Sequence, residues 1–175
     1  MSTSNNLKNN KLALKNKAKK IKLLLTDNDG VLTDTGVYYS AKGEELKRFS
    51  IRDGMGVERL REISAVETGI ITGEESGTVI KRAEKLKISE LYLGVKKKHL
   101  IFPEILKKNN LKPENVAFIG DDVNDVELLK LVGLSATPSD GLPEIKKMVN
   151  YICKNKGGNG AFREFAELII SLKMK

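Results

Sequence analysis

The chain has 175 residues, enough for one domain, and its 40% apolar content supports a sizeable core. Its single cysteine, Cys153, excludes an internal disulfide and reads as a small buried hydrophobe after Tyr151 and Ile152. The net charge of +8 is local: seven of the 31 basic residues fall in the first 22 positions, where there is no acid, and the other 24 face 23 acids.

Residues 1–20 therefore read as a basic, frayed leader before a single domain over 21–175. No stretch has the apolar core of a signal sequence or the ~20 apolar residues of a membrane span, so a cytoplasmic protein with no membrane partner is the default expectation. Nucleic-acid binding through the leader is the weaker reading, because no recognition motif or interleaved aromatic stripe accompanies the lysines.

Ile21 to Thr26 is a short apolar run ending in acids, the pattern of a buried strand. Gly36–Ser40 and Leu46–Ile51 flank a turn-rich spacer and predict a β-hairpin. Helical spacing over 54–63 leads to a second buried strand at 67–72, a helix at 76–86 and a short strand at 90–93. A helix at 100–109 precedes Pro113, followed by a strand at 115–119. Helices at 126–132 and 144–149, strands at 133–136 and 150–153 and a closing helix at 161–173 complete the pattern. Alternating strands and helices predict an α/β fold, a three-layer Rossmann-like parallel sheet with helices on both faces and a small hairpin beside it.

In such sheets ligands bind beyond the carboxyl ends of the strands. Three polar clusters fall at those ends: Asp27-Asn28-Asp29, Thr72-Gly73 and Asp121-Asp122. Each has a plain structural reading, as an acidic turn, a helix cap or acids in a first helical turn. Their convergence on one sheet edge points instead to an enzyme. Paired carboxylates about 4 Å apart repel by roughly 4 kcal/mol at an effective dielectric of about 20, so a cation must compensate. A hard, oxygen-liking ion such as Mg2+ fits, because the only histidine is His99, read as surface or supporting, and no His or Cys cluster competes. Without a nearby histidine base, an aspartate is the natural nucleophile.

These residues resemble the motifs of the haloacid dehalogenase superfamily. Asp27-x-Asp29-Gly30-Val31 matches the first motif, Thr72 the second, Lys98 the third, and Gly120-Asp121-Asp122-Val123-Asn124-Asp125 the fourth, in register over residues 20–172. Leu32-Thr33-Asp34, Arg52-Asp53-Gly54 and Gly157-Gly158-x-Gly160-Ala161-x-Arg163-Glu164 narrow the likeness to the capless phosphatases of eight- and nine-carbon 3-deoxy-2-keto sugar acids. The resemblance implies that Asp27 forms an aspartyl-phosphate and that Asp29 is the acid/base. It implies that Thr72 and Lys98 hold phosphoryl oxygens, and that Asp27, the Asp29 carbonyl and Asp121 bind Mg2+. Asp122 and Asp125 would support them.

The resemblance further implies a homotetramer in which the hairpin and the glycine-rich stretch of one subunit cover the next subunit's site. Substrate contacts are expected at Arg52, Asp53, Gly54, Gly73, Glu74, Arg82, Lys85 and Arg163. Arg52-Asp53-Gly54 and Arg82 fit the eight-carbon pattern, but Glu74 and Lys85 tip the expectation slightly toward a nine-carbon acid. Asn28 and Asn159 depart from the family's usual apolar residue and Arg. A phosphoacceptor signalling domain is a rival that would need its phosphorylated Asp where Thr72 stands.

Overall fold

The computed structural model describes residues 12–174. Six parallel strands form one sheet in the order β5-β4-β1-β6-β7-β8: β1 Leu23–Thr26, β4 Glu67–Ile71, β5 Glu90–Tyr92, β6 Val116–Ile119, β7 Leu134–Thr137 and β8 Tyr151–Ile152. A separate antiparallel hairpin joins β2 Thr33–Ser40 to β3 Gly43–Phe49. Helices are α1 over residues 12–20, α2 Ile51–Ser64, α3 Gly77–Leu86, α4 Lys98–Lys108, α5 Val126–Leu131, α6 Pro143–Lys146 and α7 Ala161–Lys173.

The strands read as continuous apolar runs because both sheet faces are covered. Side chains alternate between two cores. Leu24, Ala117 and Ile119 join Val57 and Leu60 of α2, Val79 and Ala83 of α3, and Phe162, Phe165 and Ile169 of α7. Leu23, Leu25, Val116 and Phe118 join Phe102 and Ile105 of α4, Leu128 and Leu129 of α5, and Ile145 of α6.

The expected frayed leader is corrected over its described part. Residues 12–20 are helical, and Ala18 and Ile21 are buried in the first core. Lys17 Nζ donates to Gly133 O at 2.9 Å, so part of the leader's charge anchors α1 to the body. Residues 1–11 of that expectation lie outside the described residues. No described helix is long and apolar enough to cross a membrane.

β1 lies between β4 and β6, so the chain turns to one side of it and then to the other. That reversal opens a crevice at the carboxyl end of β1. Three residues extend the ladder one step past their strands: Asp27 N–H donates to Ile119 O at 3.0 Å, Thr72 N–H to Tyr92 O at 3.0 Å and Gly120 N–H to Ala136 O at 3.2 Å. Backbone hydrogen bonds therefore hold the polar clusters at one sheet edge.

Candidate active site

A cleft of about 350 Å³ opens there, lined among others by Asp27, Asp29, Thr72, Gly73, Glu74, Asp121 and Asp122. At its floor Lys98, the first residue of α4, is fully buried between two carboxylates, 2.7 Å from Asp27 Oδ1 and 2.6 Å from Asp125 Oδ1. Burial alone would drive the proton off Lys98, but Asp27 and Asp125 outweigh it and hold the ammonium above its usual range. Asp27 Oδ1 also accepts the N–H of Asn28 at 2.7 Å. Lys98 and Asn28 thus fix one oxygen of Asp27 and orient the other for chemistry.

Asp125 does not face the cleft as a free acid. Its Oδ1 takes Lys98, and its Oδ2 takes the N–H of Asp121 at 2.9 Å and of Asp122 at 3.4 Å. It therefore aims Lys98 and shapes the loop that presents Asp121. Asp122 caps that loop, its Oδ1 accepting the N–H of Val123 at 2.6 Å. Thr72 is buried at the tip of β4, and its hydroxyl accepts the N–H of Glu74 at 3.3 Å.

The electrostatics call for a cation. Donor oxygens of Asp27, Asp121 and Asp125 lie within 4.8 Å of one another. Burial, then Asp125, pushes Asp27 up to about 7 despite Lys98. Burial, then the charges of Asp27, Asp125 and Asp122, pushes Asp121 up to about 8. Asp121 Oδ1 is buried with no hydrogen-bond partner. Gly30, at φ +86°, makes room for this carboxylate; a Cβ there would sit 2.0 Å from Asp121 Oδ2. An orphaned buried carboxylate oxygen beside a second carboxylate suits a hard divalent ion, and Mg2+ prefers a small carboxylate set completed by waters and phosphate. With Asp125 already taken by Lys98 and two N–H groups, Asp27 and Asp121 are the side chains left to hold it.

The cleft residues contributed by the hairpin escaped the sequence reading as site residues. Lys47 and Glu44 of β3 line one wall, and Lys47 Nζ reaches Asp29 at 2.8 Å and Glu44 at 3.3 Å. Thr35 of β2 lines the same wall with φ +67°, a strained value for a β-branched residue.

Of the expected substrate contacts, Gly73 and Glu74 line the cleft; the other six lie elsewhere in this chain. Asp53 is buried, and its two oxygens accept the N–H of Gly160 at 3.1 Å and of Arg163 at 2.9 Å, tying α2 to the start of α7. Arg82 stacks 5.5 Å over the Phe49 ring and donates to Ser50 O at 2.8 Å; a Cβ on Gly54 would collide with it. Arg163 pairs with Glu167 at 2.8 Å. Lys85 is exposed on α3, and Arg52 is exposed beside Gly158 and Asn159 in a separate hollow. The glycine-rich stretch packs on its own subunit's first motif, where a Cβ on Gly157 would sit 1.9 Å from Gly30 O. His99 is half-buried and away from the cleft.

A buried carboxylate at the end of a switch-point strand, with a buried lysine, a threonine and a second acidic loop, is an arrangement suited to phosphoryl transfer. The haloacid dehalogenase-like hydrolase family matches this chain over residues 70–165, and the chain belongs to that family. Its relatives include the 3-deoxy-D-manno-octulosonate 8-phosphate phosphatase KdsC of Escherichia coli K12, 41% identical over 154 residues that cover 88% of this chain and 81% of that one. The 3-deoxy-D-manno-octulosonate 8-phosphate phosphatase of Yersinia pestis superposes with a TM-score of 0.88 at 38% identity, covering 93% of this chain and 88% of that one. The corresponding phosphatase of Moraxella catarrhalis, solved with magnesium ion, phosphate ion and a KDO molecule, gives 0.88 at 35% identity over 92% of each chain.

Proposed function

We propose that this chain is a magnesium-dependent phosphatase that releases the terminal phosphate of a 3-deoxy-2-keto sugar acid, with 3-deoxy-D-manno-octulosonate 8-phosphate as its principal substrate. The observation that carries the reading is the placement of Asp27 against Lys98 at the carboxyl end of β1, beside the unpaired Asp121 carboxylate. The names of the relatives support the eight-carbon acid. Glu74 on the cleft rim keeps a nine-carbon acid 9-phosphate as the second reading, because a carboxylate there would accept hydrogen bonds from sugar hydroxyls and repel a substrate carboxylate.

A carboxylate oxygen of Asp27 bonds to phosphorus as the bond from phosphorus to the sugar oxygen breaks, and Asp29 gives that departing oxygen its proton. A water then attacks the aspartyl-phosphate, Asp29 takes the water's proton, and inorganic phosphate leaves with Asp27 restored. Thr72 and Lys98 hold phosphoryl oxygens throughout. Mg2+ held by Asp27, the Asp29 carbonyl and Asp121 would neutralise the phosphoryl charge, the main demand of this chemistry.

The hairpin walls one side of the cleft, and its Tyr38, Tyr39 and Leu46 are 63–70% exposed. Together they support assembly as a homotetramer in which a neighbour covers the cleft and excludes water. A cytoplasmic location suits an enzyme that acts on a phosphorylated sugar-acid precursor of cell-surface polysaccharide. The test is phosphate release from the two acid phosphates with Mg2+ and with excess chelator. Activity that disappears with chelator and favours the octulosonate ester supports the proposal; strong preference for the nonulosonate ester moves the assignment to the second reading.

A further inference from the structure

The scheme above leaves one buried cation unused. The Lys47 side chain is 1% exposed, yet its ammonium stands at the cleft, 2.8 Å from each oxygen of Asp29. Burial alone would lower Lys47, but Asp29 and then Glu44 outweigh it and hold the ammonium above its usual range. Glu44 is anchored in turn: it accepts from Ser76, and from Thr78 at 3.1 Å, at the start of α3. A continuous chain of charge-assisted bonds therefore runs from α3 through the hairpin to Asp29. Asn28 Nδ2 and Thr33 Oγ1 complete the cradle, 3.1 and 3.2 Å from Asp29 Oδ1.

Asp29 stands on a loop, where a carboxyl group can swing away from the bridging oxygen it must protonate. Small misplacements of a catalytic group are costly, on the order of 10²-fold for about 1 Å. Protonated on one oxygen, the carboxyl still accepts from Lys47 with the other, so the contact persists when Asp29 acts as an acid. We infer that Lys47 is a positioning residue for Asp29, carried by the hairpin into a site that has no cap domain to supply one. This rests on the acid/base reading of Asp29, and the experiment separates the two.

The test compares kcat/KM, which reports the transfer to Asp27 and not the later hydrolysis common to both esters, on octulosonate 8-phosphate, whose alkoxide must be protonated, and on p-nitrophenyl phosphate, whose phenolate leaves without a proton, with kcat and KM recorded separately. Enzymes are the wild type, Lys47→Met, Lys47→Arg, Glu44→Gln and Asp29→Asn, at saturating Mg2+. Lys47→Met should lower kcat/KM on the sugar ester about 10- to 100-fold while kcat/KM on the aryl ester stays within about threefold. Lys47→Arg should recover part of the loss. Asp29→Asn should show the same split, larger, at about 10²–10⁴-fold.

Equal losses on both esters from Lys47→Met would overturn the inference and make Lys47 a substrate contact or a fold element. A split in Asp29→Asn without one in Lys47→Met sinks the inference alone; no split in Asp29→Asn sinks the acid/base reading with it. If Lys47→Met does not fold, Glu44→Gln decides, since loosening Lys47 should give a smaller split of the same sign and its absence contradicts the proposal.

Discussion

Asp121 gathers the strain of the site in one side chain. Its carboxylate is desolvated, faces three other acids and keeps one oxygen unpaired, while Gly30 clears the space around it. Asp27 and Asp121 move from an ordinary 3.8 to about 7 and about 8, so without metal the folded state holds protons that the unfolded state has released. Across that window the folded state binds more protons, and stability must fall as pH rises. The metal-free thermal midpoint should therefore drop between about pH 5 and about pH 8, at about 2–4 °C per kcal/mol lost. Mg2+ should reverse the drop by binding the ionised pair, and Asp121→Asn should flatten it. A metal-free midpoint that rises over this range would count against a destabilised acidic pair. Asp27, Thr72 and Asp121 were legible in the sequence because each follows an apolar strand, whereas Lys98, at the start of α4, was reached only through the resemblance. The division of labour between Asp121 and Asp125 was legible only through the resemblance, since it depends on where the Asp125 oxygens point.

Among the elements, the hairpin shows where reading by period fails. Val37 pairs with Lys47 and Tyr38 with Leu46, but Tyr39 pairs with Glu44. The bulge inserts one residue, so Glu44 and Lys47, three apart, share the cleft wall. A period of two would put them on opposite faces, which is why a sequence reading misses the pair. Arg52-Asp53-Gly54 fails differently. The resemblance implies substrate contacts there, while within this chain Asp53 bridges α2 to the N-terminus of α7 and Gly54 clears space for Arg82. Asp53→Ala orphans two backbone N–H groups and should cost about 1–3 kcal/mol, read as a lower thermal midpoint with KM unchanged. A raised KM at unchanged stability would restore Asp53 as a substrate contact. The basic leader misleads for a related reason: its lysines hide a helix whose Ala18 is buried and whose Lys17 is tied to the body.

For the whole molecule, alternating apolar runs predicted the parallel sheet, and the six-stranded order with β1 between β4 and β6 fulfils it. Strand order itself is a long-range property that no local pattern fixes, and it is what brings Asp27, Thr72 and Asp121 to one crevice. The absence of a cap between Asp29 and Thr72 was also legible, because only a hairpin and one helix fit in that interval. In the proposed assembly a neighbour covers the cleft, a relation between chains that one chain's structure does not contain. Everything proposed for this molecule depends on Asp27 attacking phosphorus. The most direct measurement is Mg2+-dependent phosphate release from octulosonate 8-phosphate by Asp27→Asn beside the wild type, with thermal melting of both. Loss of release by on the order of 10⁴-fold or more, with the fold retained, is the predicted result; substantial release by the folded variant would contradict the account.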